Sequence, residues 1–326
     1  MKRYFYIQMM PQGSMAVYPY GGIKMALVAM KVLLQHAQDN KYAVGYFESW
    51  NLESILSVID AAERTNSPVI IGFGGTFLCN DQREVEENIY HYGSLGKSIA
   101  EQARVPVAFL LNEADCIPFL IKALKAGFNA IMYTKEGSSI EHLIEINKYL
   151  VRTAHFCDAD VEAEIGELPT AEITTNTITE GRLTDPEEAE YFVEQTGVDA
   201  LAVAVGNVHL LEMNKCNLDF ELIKTLKKRI KIPLVLHGGT GVSEEELKEA
   251  IQLGMCKVNV GTALKRVFLN TIKDYLRENN VDTIDPHEVI GKGGKLDLLA
   301  RTRNMMADEV VRFIKIFGSE NKAKLI

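Results

Sequence analysis

Cysteine is scarce in this sequence, and its spacing excludes two kinds of site. Five cysteines occur among 326 residues, and no two of them form a C-x-x-C pair. Disulfide frameworks and structural zinc sites both need cysteines in closely spaced sets. We therefore expect free thiols and a reducing, cytoplasmic environment.

Long hydrophobic runs are also missing. Near the N-terminus, Gln8, Pro11 and Gln12 interrupt every apolar stretch. A signal peptide needs a continuous apolar region, and a membrane span needs about twenty apolar residues. The sequence predicts neither, and residues 1–24 are predicted to form an extension that lies across the main domain or at an oligomer contact.

Positive charge is in deficit as well. The net charge is −9, the isoelectric point is near 5.4, and no basic run stands out. Nucleic acids and anionic membranes attract basic surfaces, so neither is expected as a partner.

What the sequence does contain is a regular alternation of short β-branched apolar runs and longer helical stretches. Runs buried on both sides indicate a parallel sheet, and eight such units favour a closed barrel. We predict one (β/α)8 TIM barrel over residues 25–326, with a C-terminal helix. The predicted strands are 42–47, 68–73, 105–111, 130–134, 161–165, 200–205, 233–237 and 256–260.

Helix signals agree with this plan. Thr184-Asp185-Pro186 predicts a capped start for a helix over 185–196, and Ser243 with Glu246 has the spacing of a capping box. Further helices are predicted over 25–38 and 296–316. The polar, turn-rich segment 166–183 is predicted to be a loop that acts as a lid.

Titratable side chains follow several of the predicted strands. Glu113, Glu164, His209 and His237 all lie at strand ends. Barrel active sites form at the carboxyl ends of the strands, and histidine with carboxylate suits a divalent metal such as Zn²⁺. The pattern therefore predicts a metal site, although each histidine alone would more often be structural.

A glycine-rich turn follows the seventh predicted strand. Gly238, Gly239 and Thr240 come directly after His237, and Asn259 with Thr262 ends the eighth strand. Small residues let backbone N–H groups approach an anion, so these two loops are predicted to bind a phosphate. The alternative is a tight turn that merely needs glycine.

These motifs together resemble the class II, metal-dependent fructose- and tagatose-bisphosphate aldolases. The likeness runs from about residue 25 to residue 323 and is most specific in GVDALAVAVGNVH and HGGTG. The other matching segments are YAVGYFESWNLES, SPVIIGF, VPVAFLL, KALKAGFNAIM, VEAEIGEL, PLVLHGGTG, KVNVGTAL and FGSENKA.

The resemblance implies a metal-dependent lyase that acts on a phosphorylated ketose and releases a product like dihydroxyacetone phosphate. His209 and His237 correspond to two of the family's three zinc histidines. Gly239, Thr240, Asn259 and Thr262 correspond to its phosphate-binding segments. A homodimer or homotetramer is expected.

The chain departs from the family where an H-L-D-H motif is expected after the third strand. Leu110, Asn112 and Glu113 stand at the positions of its first histidine, its aspartate and its metal-binding histidine. Glu48 and Trp50 replace residues that are usually asparagine. An amide cannot exchange a proton as a carboxylate does, so the usual acid–base step at Asn112 is lost or moved.

Several hypotheses stay open at this stage. Glu113 could complete a metal site with the two histidines, or it could be a new base in a protein without metal. The proton-transferring candidates are Glu113, Asp115, Glu172 and Glu180. A non-catalytic sugar-phosphate-binding protein is the alternative to a lyase, and an isomerase or decarboxylase on the same barrel is a third possibility.

Overall fold

The fold is described from a computed structural model of the chain, which covers residues 26–169, 171–172, 177–178, 181–208 and 217–326. Eight parallel strands close into a barrel, as the sequence predicts. Ten strands occur in the described part of the chain, and β6 with β7 forms a separate two-stranded pair. The strands are β1 (Val44–Ser49), β2 (Val69–Gly74), β3 (Val107–Ala114), β4 (Ala130–Tyr133), β5 (Asp160–Ile165), β6 (Ala171–Glu172), β7 (Thr177–Ile178), β8 (Ala200–Val203), β9 (Leu234–Leu236) and β10 (Met255–Val260).

Helices surround the barrel and follow most strands. Those predicted over 25–38, 185–196 and 296–316 are confirmed with shifted bounds. The α-helices are α1 (Met30–Asp39), α2 (Leu52–Thr65), α3 (Gly75–Leu78), α4 (Ile89–Gln102), α5 (Ile117–Ala126), α6 (Ile140–Phe156), α7 (Pro186–Thr196), α8 (Phe220–Arg229), α9 (Glu244–Leu253), α10 (Thr262–Glu278), α11 (Pro286–Val289) and α12 (Leu298–Phe317).

Two apolar layers hold the barrel together. The larger cluster fills the space between strands and helices, and residues such as Phe73, Phe109 and Phe128 pack there as rings against one another. A smaller cluster around Met30, Tyr46 and Leu110 fills the inside of the barrel. Helix α1 contributes Met30 to that inner cluster, so the amino-terminal end of the barrel is filled and the opposite end is left for polar groups.

The helix caps follow the sequence signals with one change. Asp185 accepts hydrogen bonds from Glu187 N and Glu188 N at the start of α7. Ser243 accepts from Glu246 N at the start of α9, but the Glu246 carboxylate bonds the Ser243 hydroxyl and Leu218 N. Glu246 therefore also fastens the β8–α8 connection to α9.

Backbone pairing joins the described residues of the segment after β5. Glu167 and Arg182 exchange both backbone hydrogen bonds, and Ala171–Glu172 pairs antiparallel with Thr177–Ile178. The segment predicted as an irregular loop is therefore a ribbon at its base, and its role as a lid stays a prediction. The boundary predicted between an extension and the barrel falls at residues outside the described ranges.

None of the helices in the described ranges is both long enough and apolar enough to span a membrane.

The start of α12 depends on a single buried carboxylate. Asp297 accepts backbone hydrogen bonds from Gly291, Gly293, Leu299 and Ala300, at 2.7 to 3.0 Å. The four donors hold the pKa of this carboxyl below its ordinary value. Asp297 thus joins the preceding loop to the helix that covers β1 and α2.

We predict that Asp297→Ala lowers the free energy of unfolding by about 1–2 kcal/mol, because four backbone N–H groups lose their acceptor. Urea denaturation measures the change, and the exposed Asp274→Ala on α10 is the matched control. Equal stability of the two variants would contradict the cap.

Candidate active site

Three strands each place two polar side chains inside the barrel. Successive side chains of a strand point to opposite faces, so residues two apart share the inner face. Tyr46 and Glu48 do so on β1, Glu162 and Glu164 on β5, and Lys257 and Asn259 on β10. These pairs stand near the carboxyl end of the barrel, where they surround the end of β9.

His237 follows β9 and occupies the centre of this group, with no exposed surface. Gly238 continues the chain in the left-handed region, at φ 66°, which glycine adopts without strain. Asn207 fixes the backbone from the neighbouring β8 turn, because its Nδ2 donates to the His237 carbonyl at 3.0 Å. The histidine ring is therefore held on a rigid backbone.

A buried ion pair supports one side of the ring. His237 Nε2 lies 3.0 Å from Glu162 Oε1, and Lys257 Nζ lies 2.9 Å from both Glu162 oxygens. Lys257 also donates to Asn259 Oδ1 at 2.6 Å. Glu162 and Lys257 are both fully buried. This arrangement makes Nε2 a donor nitrogen, and in the neutral ring the lone pair of Nδ1 then faces the other side.

Two further carboxylates approach that other side. Glu113 Oε1 lies 3.1 Å from His237 Nδ1, and Glu164 Oε1 lies 3.7 Å from it. Glu113 reaches this position from a strained backbone, at φ 51°, where the pairing of β3 with β4 shifts register between Leu111 and Ala114. Such bulges re-aim a side chain at a cost of about 1–3 kcal/mol.

The charges do not balance within this cluster. Three carboxylates, on Glu113, Glu162 and Glu164, face two groups that can be cationic. Burial alone would lower the pKa of His237, but Glu164, Glu113 and Glu162 raise the pKa to about 10. Burial likewise opposes ionisation of Glu162, yet Lys257 and His237 bring its pKa below the ordinary value. The site therefore attracts positive charge, either a proton or a metal ion.

Two distances from Nδ1 are close to those between neighbouring ligands of a divalent cation. Ligands at about 2.0–2.2 Å from a tetrahedral zinc lie roughly 3.3–3.6 Å apart, and the Nδ1 to carboxylate distances of 3.1 and 3.7 Å bracket that range. Among the residues that the structure describes, no group of three or more His, Cys, Asp or Glu side chains is arranged to hold a metal ion. His209, the other predicted ligand, lies outside the described residues.

The predicted phosphate loops line one wall of the same cavity. Gly238, Thr240, Asn259 and Thr262 all border it. Thr262 begins α10, a helix of 17 residues, and the positive end of its dipole favours an anion. Thr240 Oγ1 accepts from Ala263 N at 3.3 Å, so its hydroxyl ties the two loops together.

Gly239 has a packing role that the sequence did not predict. A Cβ atom at this position would come within 2.4 Å of Val258 Cγ1 and 3.0 Å of the Asn259 carbonyl oxygen. The glycine therefore permits the turn to lie directly on β10.

Of the remaining predicted site residues, one borders the cavity and the others do not or lie outside the described residues. Asn112 lines the cavity, and its Oδ1 is buried without a hydrogen-bond partner among the described residues. Asp115 does not border the cavity, and its carboxylate accepts a long contact of 3.7 Å from Cys79 Sγ. Glu180 lies outside the described residues, as does the side chain of Glu172.

Two site residues were missed at the sequence level. Lys257 lies within a run that was predicted only as an apolar strand. The alternation in Lys257-Val258-Asn259-Val260 nevertheless indicates that Lys257 and Asn259 share one face of that strand. Glu48 was noted as a departure from the family but not as a site residue, and it borders the cavity.

Comparison with known proteins decides the family. The sequence profile described as fructose-bisphosphate aldolase class-II matches residues 28–322. The chain belongs to the class II fructose-bisphosphate aldolase family. The resemblance inferred from the sequence motifs is thereby confirmed, and membership supports an aldolase-like lyase in a family that is typically metal-dependent.

Individual relatives support the family assignment. The chain is 33% identical over 288 residues to the uncharacterized protein YdjI of Escherichia coli K12. The aligned region covers 88% of this chain and 96% of YdjI. The crystal structure of the YdjI aldolase superposes with a TM-score of 0.73 at 31% identity, over 91% of this chain and 99% of that one.

A putative fructose-1,6-bisphosphate aldolase from Coccidioides immitis superposes with a TM-score of 0.76 at 25% identity, over 91% of this chain and 98% of that one. The fructose-bisphosphate aldolase of Campylobacter jejuni shares the fold, with a TM-score of 0.73 at 20% identity over 92% and 98% of the two chains.

The buried Glu162–Lys257 pair yields a prediction about stability. We expect Lys257→Met to cost about 3–5 kcal/mol, because Glu162 is then a buried charge with one partner removed. The double variant Lys257→Met/Glu162→Gln should recover part of that loss, since the amide can still accept from His237 Nε2.

Denaturant unfolding of the two single variants and the double variant measures this coupling. Lys224→Met, which breaks an exposed pair with Glu221, is the control and should have no measurable effect. Additive losses in the double variant would contradict the pairing.

Proposed function

We propose that the protein is a metal-dependent aldehyde-lyase that cleaves a phosphorylated ketose into an aldehyde and a product like dihydroxyacetone phosphate. The observation that carries this proposal is the convergence of Glu113 and Glu164 on Nδ1 of His237. Family membership supplies the reaction class, and the local charge imbalance supports a cation at this point.

We propose His237, Glu113 and Glu164 as metal ligands from the described residues, together with His209. A bound divalent cation, with zinc as the first candidate, would polarise a substrate carbonyl by drawing electron density toward the carbonyl oxygen. Glu162 and Lys257 orient the His237 ring from behind, an arrangement common around metal-binding histidines.

The substrate phosphate is proposed to bind in the same cavity, at the loops that follow β9 and β10. Gly238, Gly239 and Thr240 supply backbone groups from the first loop, and Thr262 supplies the first turn of α10. Asn259 Nδ2 is buried there and has no partner among the described residues, so it can donate to a ligand oxygen. Ketone and phosphate would then be held within one cavity.

One observation favours a non-catalytic binding protein as the second candidate. Asn112 presents an amide to the cavity, and an amide cannot act as a base. Against this stands the buried carboxylate cluster, because a sugar-phosphate sensor gains nothing from three carboxylates around one imidazole. The lyase is therefore the first choice.

Metal content and product release test the proposal together. We expect purified protein incubated with zinc, manganese or cobalt to retain about one metal ion per chain. It should then release dihydroxyacetone phosphate from at least one member of a panel. The panel contains fructose 1-phosphate, fructose 1,6-bisphosphate, tagatose 1,6-bisphosphate and sedoheptulose 1,7-bisphosphate.

His237→Ala should abolish metal retention, and Glu113→Gln should weaken it at least about 10-fold because a neutral amide replaces an anionic ligand. The exposed His287→Ala is the control and should bind metal like the wild type. A wild-type chain that stays metal-free and inactive on every ketose phosphate would remove the lyase and favour the binding protein.

The phosphate subsite has a separate test. A crystal soaked in inorganic phosphate should show the anion within hydrogen-bonding distance of backbone N–H groups at Thr240 and Thr262. The helix dipole and the glycine turn both favour this position. An anion that binds reproducibly elsewhere would contradict the assignment.

A further inference from the structure

Glu48 is a half-buried carboxylate at the wall of the cavity that neither the metal site nor the phosphate loops use. Its side chain keeps 17% of its surface exposed, and it borders the cavity with Asn112 and Thr262. It stands on β1, one inward position above Tyr46. A ligand in the cavity can therefore reach it.

Two glycines make room for this carboxylate. A Cβ atom on Gly261 would lie 2.4 Å from Glu48 Oε2, and one on Gly74 would lie 2.9 Å from Glu48 Oε1. These glycines lie at the ends of the two strands that flank β1. No larger residue fits at either position unless Glu48 moves.

A lysine holds the carboxylate in place. Lys265 Nζ, from the second turn of α10, lies 3.0 Å from Glu48 Oε1 and 4.2 Å from the centre of the Phe77 ring. The lysine is 35% exposed and does not itself border the cavity. The carboxylate of this pair therefore faces the cavity, and the ammonium holds it from the solvent side.

Aldol cleavage needs a group that removes a proton from a substrate hydroxyl. The cavity offers few candidates among the described residues, since Asn112 and Asn259 are amides. Burial raises the pKa of the Tyr46 hydroxyl well above its ordinary value, and the carboxylates of Glu48, Glu113 and Glu162 add to this effect.

Glu113 and Glu48 are the two carboxylates that border the cavity in the described ranges. Glu113 already contacts Nδ1 of His237, at 3.1 Å, and is a proposed metal ligand.

We infer that Glu48, positioned by Lys265, is the proton-transfer residue of this site, an inference that rests on the proposed lyase function. The Glu48 carboxylate takes the proton of the hydroxyl on the carbon that becomes the aldehyde. The C–C bond to the neighbouring carbon breaks, and its electron pair passes to the ketone half as an enediolate. The Glu48 carboxyl then returns the proton to that carbon, so no other reactant is consumed.

The surroundings of Glu48 suit this task. Burial raises its pKa, Lys265 on α10 counteracts that rise, and Glu113 on β3 adds to it, so that the pKa lies above the ordinary value. A carboxyl of this kind is a better proton acceptor than one in water. Because the charged form is disfavoured in the folded protein, Glu48 lowers stability at neutral pH.

The first test is Glu48→Gln, assayed on whichever panel ketose phosphate the wild type cleaves. We expect kcat to fall by about 10²–10⁴-fold, with a smaller change in KM and unchanged metal content. The melting temperature should not fall, since a buried charge is removed. Glu48→Asp should retain more activity than Glu48→Gln, and the exposed Glu136→Gln on the same rim is the control.

The second test is Lys265→Met, which removes the charge that stabilises ionised Glu48. The acidic limb of the kcat–pH profile should move to higher pH, because Glu48 then needs a higher pH to ionise. Lys265→Arg should leave the limb near its wild-type position. A structural role for the pair would not move this limb.

The inference is overturned if Glu48→Gln cleaves at the wild-type rate, if it raises KM alone, or if it loses metal and melts earlier. An unmoved limb in Lys265→Met also overturns it. These outcomes leave the proposed lyase intact, because each is measured against an active wild type. A wild type that cleaves none of the panel contradicts the lyase and this inference together.

Discussion

The contact between His237 and the carboxylates on both sides of its ring is the interaction on which the site depends. Glu162 fixes one ring nitrogen at 3.0 Å, and Glu113 approaches the other at 3.1 Å. Lys257 neutralises Glu162 from within the barrel, so the ring is oriented without a second free charge behind it. The excess of negative charge is left on the cavity side, where a cation can bind.

This arrangement accounts for two features that are unfavourable for the stability of the fold. A lysine and a glutamate are buried completely, and Glu113 has a left-handed backbone conformation that few non-glycine residues adopt. Neither feature stabilises the protein in the way that apolar packing would. Both are understandable if the barrel is built to hold a concentrated charge at the ends of its strands.

The fold was largely predictable from the sequence, and the site only in part. All eight barrel strands are confirmed, because strands buried on both faces leave a clear apolar pattern. The pattern did not show that β3 continues to Ala114, since a bulge with positive φ has no sequence signature. It also concealed Lys257, because a charged residue inside an apolar run is informative only once the inner face is known. The place of Glu48 was not predictable, because the room for its carboxylate depends on Gly74 and Gly261 from the two neighbouring strands.

The most direct test of this account is the anomalous scattering of a crystal grown with zinc, recorded at the zinc absorption edge. We expect a peak about 2.0–2.2 Å from Nδ1 of His237 and at a similar distance from a carboxylate oxygen of Glu113 or Glu164. A crystal without such a peak, in which Nδ1 instead carries a proton and donates it to Glu113, would show that a proton satisfies the charge of the cluster and would contradict the metal site.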